Sequence, residues 1–455
     1  MERLTAQDLI MLWPDDVGWP QDIGAFAILD PGDLLDSDGR LRVEAVRRAI
    51  EARLHLVPRF RQRLHRPCRG LGGPFWADAP DFDIADHVRV TEVPAPGDEA
   101  QLLLTIEGLR RRPLDRSQPL WQMWFLAGLP DGRVGFYMKV HHAIADGAAG
   151  VATLGALLDA APNPHTAPGS PFAPAPVPSI RELFADNVRR RARELVRAAS
   201  VLLRPVRTVR GVRAGWPAVH ETLATERAPR TSLNRPIGPG RQFAVIRGSI
   251  DQVKQVAHRY GATVNDALVA AIAGGLRDLL RGRGERVDDV VLRAYAPVSL
   301  HRERPGLARG NKDGVMAISL PLGVPDPIAR LRLIAAETAE RKKRTRPPAG
   351  TLLRNRVAQR VFLRLMARQR WANVYVANVP GPPVPLYLAG ARLLELFPMV
   401  PLTGNLTLGV GALSYAGQFN ITAVADRDAC PDVEIFAEGV RDALRSMAAA
   451  ELVPS

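Results

Sequence analysis

Cysteine is almost missing from this chain. Cys68 and Cys430 are the only two in 455 residues. Two thiols do not make a disulfide framework, so the fold has to rest on apolar burial, and a reducing, intracellular setting is the simpler expectation. Lysine is scarce too: Lys139, Lys254, Lys312, Lys342 and Lys343 stand among 61 basic residues, and all the others are arginine. Long apolar runs are absent. The longest is "ALVAAIAGGL" (267–276), whereas a bilayer-spanning helix needs about 20 such residues. The opening "MERLTAQDLIMLWPDD" has no basic stretch followed by an apolar one, which argues against a signal peptide. No cluster of His, Cys and carboxylates stands at metal-ligand spacing, so no metal is expected.

What is present points to a globular protein of some size. Hydrophobic residues make up 46% of the chain, enough for real cores. The length accommodates two to three domains at roughly 100–200 residues each. The net charge of +14 favours anionic partners such as phosphates or acidic lipid. Nucleic acid is not expected, because no recognition module is visible and no aromatic residues interleave with the arginines.

Strand and helix patterns mix in both halves, which indicates α/β or α+β layers. "RVEAVRRAIEARLHLVPRFRQRL" (42–64) reads as an amphipathic helix broken at Pro58. "VGFYMKVHH" (134–142) alternates as a strand should, and "GAAGVATLGALLDAA" (147–161) reads as a helix rich in small residues. "HTAPGSPFAPAPVPS" (165–179) is a Pro-rich connector. A basic helical stretch follows (179–215), with Arg189, Arg193 and Arg197 on one face and Ile180, Phe184 and Val188 among the apolar positions. A second folded region starts near Arg241. Its "TVNDALVAAIAGGLRDLLRGRG" (263–284) has an N-cap candidate in Thr263 or Asn265, and 406–426 reads as a hairpin turning at Ala416-Gly417. These features divide the chain into residues 1–164, a connector and crossover helix at 165–235, and residues 236–455.

The most informative stretch is "KVHHAIADGAAG" (139–150). Successive strand side chains point to opposite faces, so adjacent His141 and His142 cannot chelate one metal together. Alternation places His142 with Val134, Phe136, Met138 and Val140, and His141 on the other face with Lys139. A histidine at a strand end beside apolar residues suits general base chemistry near neutral pH. Asp146 is placed to brace the turn, and Gly147 lets backbone or ligand approach closely. A satisfied core histidine in an ordinary turn is the plain alternative.

The stretch has the form HHxxxDG, and the chain resembles the bacterial wax ester synthase/diacylglycerol acyltransferase family. That family belongs with chloramphenicol acetyltransferase and peptide-synthetase condensation domains. The likeness runs nearly end to end. "PLDRSQPLWQMW" carries a PLW motif as Pro119, Leu120 and Trp121. "GATVNDALVAAIAGGLR" carries an ND motif as Asn265 and Asp266. "ANVPGPPVPLYLAGARL" resembles the NVPGP segment, and 403–428 the C-terminal hairpin. Five motifs in the family's order are specific together.

The resemblance implies two chloramphenicol acetyltransferase-like domains with a central tunnel, the HHxxxDG loop lying mid-tunnel. It implies transfer of a long-chain acyl group from acyl-CoA, as substrate rather than cofactor, to a lipid alcohol. His142 would be the base, His141 supporting, Asp146 a brace. Pro119, Leu120, Trp121 and Asn378 would touch substrate, and Asn265 and Asp266 would hold the architecture. Arg-rich helices at 179–215 and 352–370 would bring a cytoplasmic protein to an anionic membrane or lipid droplet. Two competing readings stand beside this one: an enzyme of the same superfamily with a different donor or acceptor, and a non-catalytic lipid-droplet binding protein. The chain departs from the family where Asp15 or Asp16 replaces Glu, where Asp22 stands for His, and where Ala377 precedes NVPGP in place of Ser or Thr.

Overall fold

The computed structural model describes residues 1–145, 147–162, 172–202, 227–299, 313–342 and 356–449. Part of the Pro-rich connector, and the basic stretch beyond Leu202 up to residue 226, lie outside the described residues.

Two six-stranded sheets carry the fold. The first runs β12-β13-β2-β7-β6-β5, with β2 Asp22–Leu29, β5 Val88–Glu92, β6 Trp121–Ala127, β7 Val134–His141, β12 Tyr387–Leu388 and β13 Ala391–Met399. The second runs β10-β9-β11-β14-β15-β8, with β8 Arg241–Ser249, β9 Val291–Ser299, β10 Asp313–Pro321, β11 Val374–Pro380, β14 Leu408–Tyr415 and β15 Gln418–Asp426. A small sheet of β1 (Glu2–Arg3), β4 (Phe75–Asp78) and β3 (Gln62–His65) sits to one side.

All eight residues of β7 are buried, as a central strand covered on both faces requires. The hairpin expected at 406–426 is present. It turns on Ala416 and Gly417, both at positive φ (45° and 87°), the geometry of a tight two-residue turn. The helix Val264–Gly282 begins at Thr263 with a full capping box: Thr263 accepts from the Asp266 N–H while Asp266 accepts from the Thr263 N–H. This helix is buried along most of its length and forms the centre of the second half's core.

Two readings shift. The helix expected over 42–64 ends at Glu51 and gives way to short 3-10 turns and β3. The reason is Arg53, whose guanidinium is buried against Asp159 and the Leu157 carbonyl and so holds the chain out of helical register. Second, β12 and β13 come from the second half of the chain but complete the first sheet. β13 pairs antiparallel with β2, from Met399↔Gly24 to Leu393↔Leu29. Tyr415 anchors this crossing, its hydroxyl accepting from Leu386 N (2.8 Å) and donating to Leu393 O (2.9 Å).

A third core lies between the halves. Phe26, Tyr137 and Phe397 of the first sheet meet Phe243, Val245 and Val424 of the second, and Phe26 stacks on Phe397 at 4.8 Å. Among the described residues, no helix is long and apolar enough to cross a membrane.

Candidate active site

The end of β7 is held from both sides. The Leu120 carbonyl on its β6 side accepts the His141 N–H (3.0 Å), and the Gln21 carbonyl next to β2 accepts the His142 N–H (2.8 Å). There the strand stops. Residues 142–144 form a turn, closed by the Ile144 N–H on the His141 carbonyl (2.9 Å). This corrects the reading of 134–142 as one strand: His142 belongs to the turn, so strand alternation does not set its direction. It is half-buried and within reach of partners. Asp146 lies outside the described residues.

His141 is buried and fixed at both ring nitrogens. Nδ1 accepts the Ala143 N–H at 3.0 Å, so the ring hydrogen is on Nε2, which donates to Asp15 Oδ2 at 2.9 Å. Asp15 comes from a short turn, Pro14–Val17. Its carboxylate also accepts from the Gln21 N–H (2.9 Å) and from Arg116 Nη2 (3.1 Å), and Arg116 reaches Asp16 and the Leu12 carbonyl as well. Burial alone raises the Asp15 pKa; the His141, Gln21 and Arg116 interactions outweigh it and hold the carboxyl below its ordinary value. Burial lowers and the two carboxylates raise the Arg116 pKa, with a net rise.

Asp22 stands directly opposite His141 in the β2–β7 register. Its carboxylate lies 4.0 Å from the fully buried Lys139 ammonium. Burial raises the Asp22 pKa and lowers that of Lys139 to about 8, so burial outweighs the pair's mutual attraction on both partners. Lys139 also donates to the carbonyls of Leu109 (3.4 Å), Arg110 (3.5 Å) and Arg112, capping the C-terminal end of the helix Glu99–Arg110. Gly24, opposite Lys139, lets β2 lie close to β7: a Cβ there would lie 2.8 Å from the Met138 carbonyl and 3.3 Å from the Tyr137 ring. Beside Asp22 and Tyr137 the seam between the halves leaves a cavity of about 20 Å³, reached also by Arg241 and Met399. That is room for about one water.

The helix Gly147–Leu157 starts on the same seam. A Cβ on Gly147 would lie 3.1 Å from Val379 Cγ2 of β11, and one on Gly150 3.5 Å from Ile23 Cδ1 of β2. The small residues of the motif therefore let the turn fit between the two sheets. Asn378 shares the face of β11 with Val374 and Val376, which point into the helical core. Val379 is the β11 side chain against Gly147, where the helix after the histidine turn begins.

The PLW residues act from inside. Trp121 is fully buried, stacked between Phe60 (4.6 Å) and His87 (4.5 Å), with its indole N–H on the Phe60 carbonyl (2.8 Å). Leu120 is also fully buried and Pro119 is buried. The motif also supports the strand end, through the Leu120 carbonyl that accepts the His141 N–H. Asp266, besides capping its helix, accepts from Thr338 Oγ1 (2.7 Å) on the helix Pro327–Lys342. Asn265 is half-buried beside it. Among the described residues, no group of three His, Cys, Asp or Glu side chains converges as a metal site.

Sequence reasoning noted Asp15 only as a departure and gave no role to Gln21, Arg116 or Val379. Lys139 had a signal that went unused: it is a lysine inside a buried strand, in a chain that otherwise prefers arginine.

The pattern of the wax ester synthase/diacylglycerol acyltransferase catalytic domain matches residues 4–268, and that of the family's C-terminal domain matches residues 309–448. The chain belongs to the wax ester synthase/diacylglycerol acyltransferase family. It is an acyltransferase by that membership. The "Probable diacyglycerol O-acyltransferase tgs1" of Mycobacterium tuberculosis is 32% identical over 465 residues, covering 99% of this chain and 96% of its own. A second relative from that species is 32% identical over 473 residues, covering 98% of this chain and 90% of its own. In fold, the wax ester synthase/diacylglycerol acyltransferase from Marinobacter aquaeolei VT8 superposes over 100% of both chains with a TM-score of 0.71 at 24% identity. The starter condensation domain of rhizomide synthetase RzmA superposes over 98% of this chain and 93% of its own, at 0.60 and 17%. The two-domain acyltransferase-like fold that the resemblance implies is thus present.

Proposed function

We propose that this family member transfers a long-chain acyl group from acyl-CoA to a lipid alcohol, either diacylglycerol, giving triacylglycerol, or a fatty alcohol, giving a wax ester. The observation that carries the reading is the position of His142 on a turn at the seam of the two halves, with its backbone held by Gln21 and its neighbour His141 locked into the scaffold.

In this reading His142 accepts the hydroxyl proton as the alcohol oxygen attacks the thioester carbonyl. The tetrahedral intermediate collapses, the carbon–sulfur bond breaks, and the proton passes from the imidazolium to the departing thiolate. Base catalysis and the juxtaposition of two substrates supply the rate. His141 cannot share the role while both ring nitrogens are engaged. The face on which Asn378 lies favours a backbone N–H over its amide as the oxyanion donor. Asp146 keeps the role of a brace.

Lipid substrates call for contact with a lipid surface, and the exposed side chains support one. The helix Ile180–Leu202 leaves Ile180, Phe184, Val188 and Leu195 exposed along one stripe, with the exposed Arg181 and Arg191 beside it. The helix Arg356–Ala367 exposes Val361 and Leu365 near Arg360 and Arg364. Such faces bind anionic surfaces by apolar burial together with charge.

Asp22, where the family often has His, favours a second reading: the same chemistry on a different acceptor. Purified protein with palmitoyl-CoA and a panel of alcohols separates the two by free thiol released. Release with diacylglycerol or hexadecanol supports the first reading. Release only with small alcohols supports the second. Flotation with anionic vesicles but no release with any acceptor leaves a lipid-binding protein without turnover.

A further inference from the structure

A cleft of about 480 Å³ lies away from the histidine turn, between the helices Ile250–Arg259 and Val433–Ala449 and the edge strand β8. Its volume falls within the roughly 300–1,000 Å³ of small-ligand pockets. Val253, Val256, Leu444 and Met447 give it an apolar floor, and Arg247, Arg441 and Arg445 stand around it. Among the described residues, no acidic side chain lines it.

The arginines are held from outside. Glu395 and Glu99 fix Arg247, while Glu434 and the Val245 carbonyl fix Arg441, each of the latter at 2.8 Å. A guanidinium has five donors, so fixed arginines retain some for a ligand. Among the described residues, Arg445 pairs along its own helix with Asp442, both side chains exposed. The cleft is distant from His142 along the strands. Arg247 reaches Glu395, which pairs with Ile28 on β2, whereas His141 pairs with Asp22 at that strand's other end.

We propose that this cleft binds a single-chain anionic amphiphile, one long acyl chain ending in a carboxylate or phosphate, at a site separate from the acyl-transfer centre. The apolar floor takes the chain, and the arginines take the head in charge-assisted hydrogen bonds. A neutral long-chain alcohol has the same tail and lacks the head, so it is the discriminating probe.

The test is photolabelling of the full chain with a diazirine analogue of palmitate, followed by peptide mapping and competition. Label is expected on residues 250–259 and 433–449. Palmitate should compete, hexadecanol should not, and Arg441→Glu/Arg445→Glu should cut labelling by about tenfold or more. Competition by hexadecyl phosphate as well marks an anionic head in general; competition by palmitate alone marks a carboxylate site. If the charge reversal does not fold, Leu444→Trp, which fills the cleft and keeps the arginines, should cut labelling likewise. Label confined to the Gly147–Leu157 seam, equal competition by hexadecanol, or labelling unchanged in a folded variant would overturn the proposal.

Discussion

His141 Nε2 and Asp15 Oδ2 lie 2.9 Å apart, joined across 126 residues of chain. The bond ties the first turn of the protein to the end of its central strand, and Arg116 fastens the carboxylate from the far side. Asp15→Asn replaces the charged acceptor and loosens Arg116. Charge-assisted bonds of this kind contribute about 1.5–3 kcal/mol, so turnover is expected to fall by roughly tenfold to a hundredfold. Asp15→Glu should keep more activity than Asp15→Asn. Steady-state kinetics on both variants checks this, with kcat falling more than KM rises, because Asp15 steadies the turn without being placed to touch substrate.

The same carboxylate gives a pH signature. Its folded pKa lies below its ordinary 3.8. The unfolded chain therefore takes up the proton first as pH falls, so the stabilisation is complete well above 3.8 and is lost as pH drops through the folded value. Urea midpoints measured between pH 6 and pH 3 should fall less steeply for Asp15→Asn than for wild type.

Lys139, beside Asp22, acts at the alkaline end. Lys139 titrates near 8 when folded against 10.5 in the open chain. Between those values the unfolded chain holds the extra proton, so this group makes stability rise with pH. Lys139→Met should remove that rise. Asp22→His removes the carboxylate beside the buried Lys139 ammonium and leaves that charge without its partner. It should destabilise by roughly 3–5 kcal/mol, the scale for breaking a buried pair, as read by denaturant melts.

Gly147 and Val379 test the packing of the turn against the second sheet. Gly147→Val puts a branched side chain where a bare Cβ already sits 3.1 Å from Val379. Overpacking costs about 1–3 kcal/mol. Val379→Ala should recover part of the loss in the double variant, and a thermal-melt cycle on the four proteins measures the coupling.

Trp121 separates support from substrate contact. Its indole is enclosed by Phe60 and His87, so Trp121→Ala should cost roughly 3–5 kcal/mol of stability. Trp121→Phe, which keeps the ring stack, should leave the KM for acyl-CoA near wild type. A large KM change in a well-folded Trp121→Phe protein would return this residue to the substrate.

Local patterns in the sequence carried the elements that local physics decides. Period-two alternation marked β7, the Ala416-Gly417 pair marked its hairpin, and Thr263 or Asn265 marked a helix start that the structure gives to Thr263. What escaped depends on partners far along the chain. The turn at His142 follows from the Gln21 carbonyl, the early end of the helix at Glu51 from Arg53 meeting Asp159, and the crossing of β13 into the first sheet from Leu393–Met399 pairing with β2. None of these has a signature within a few residues. The histidine pair was legible as a site, but which neighbour holds His141 was not, because Asp15 and His141 share no spacing rule.

The central claim is that His142 is the base. Thiol release from palmitoyl-CoA, with the acceptor the wild-type enzyme prefers, measures it directly. His142→Ala should melt as wild type does and lose about 10²–10⁴-fold in turnover, the range for general base catalysis. A folded His142→Ala protein that releases thiol at the wild-type rate would contradict the account.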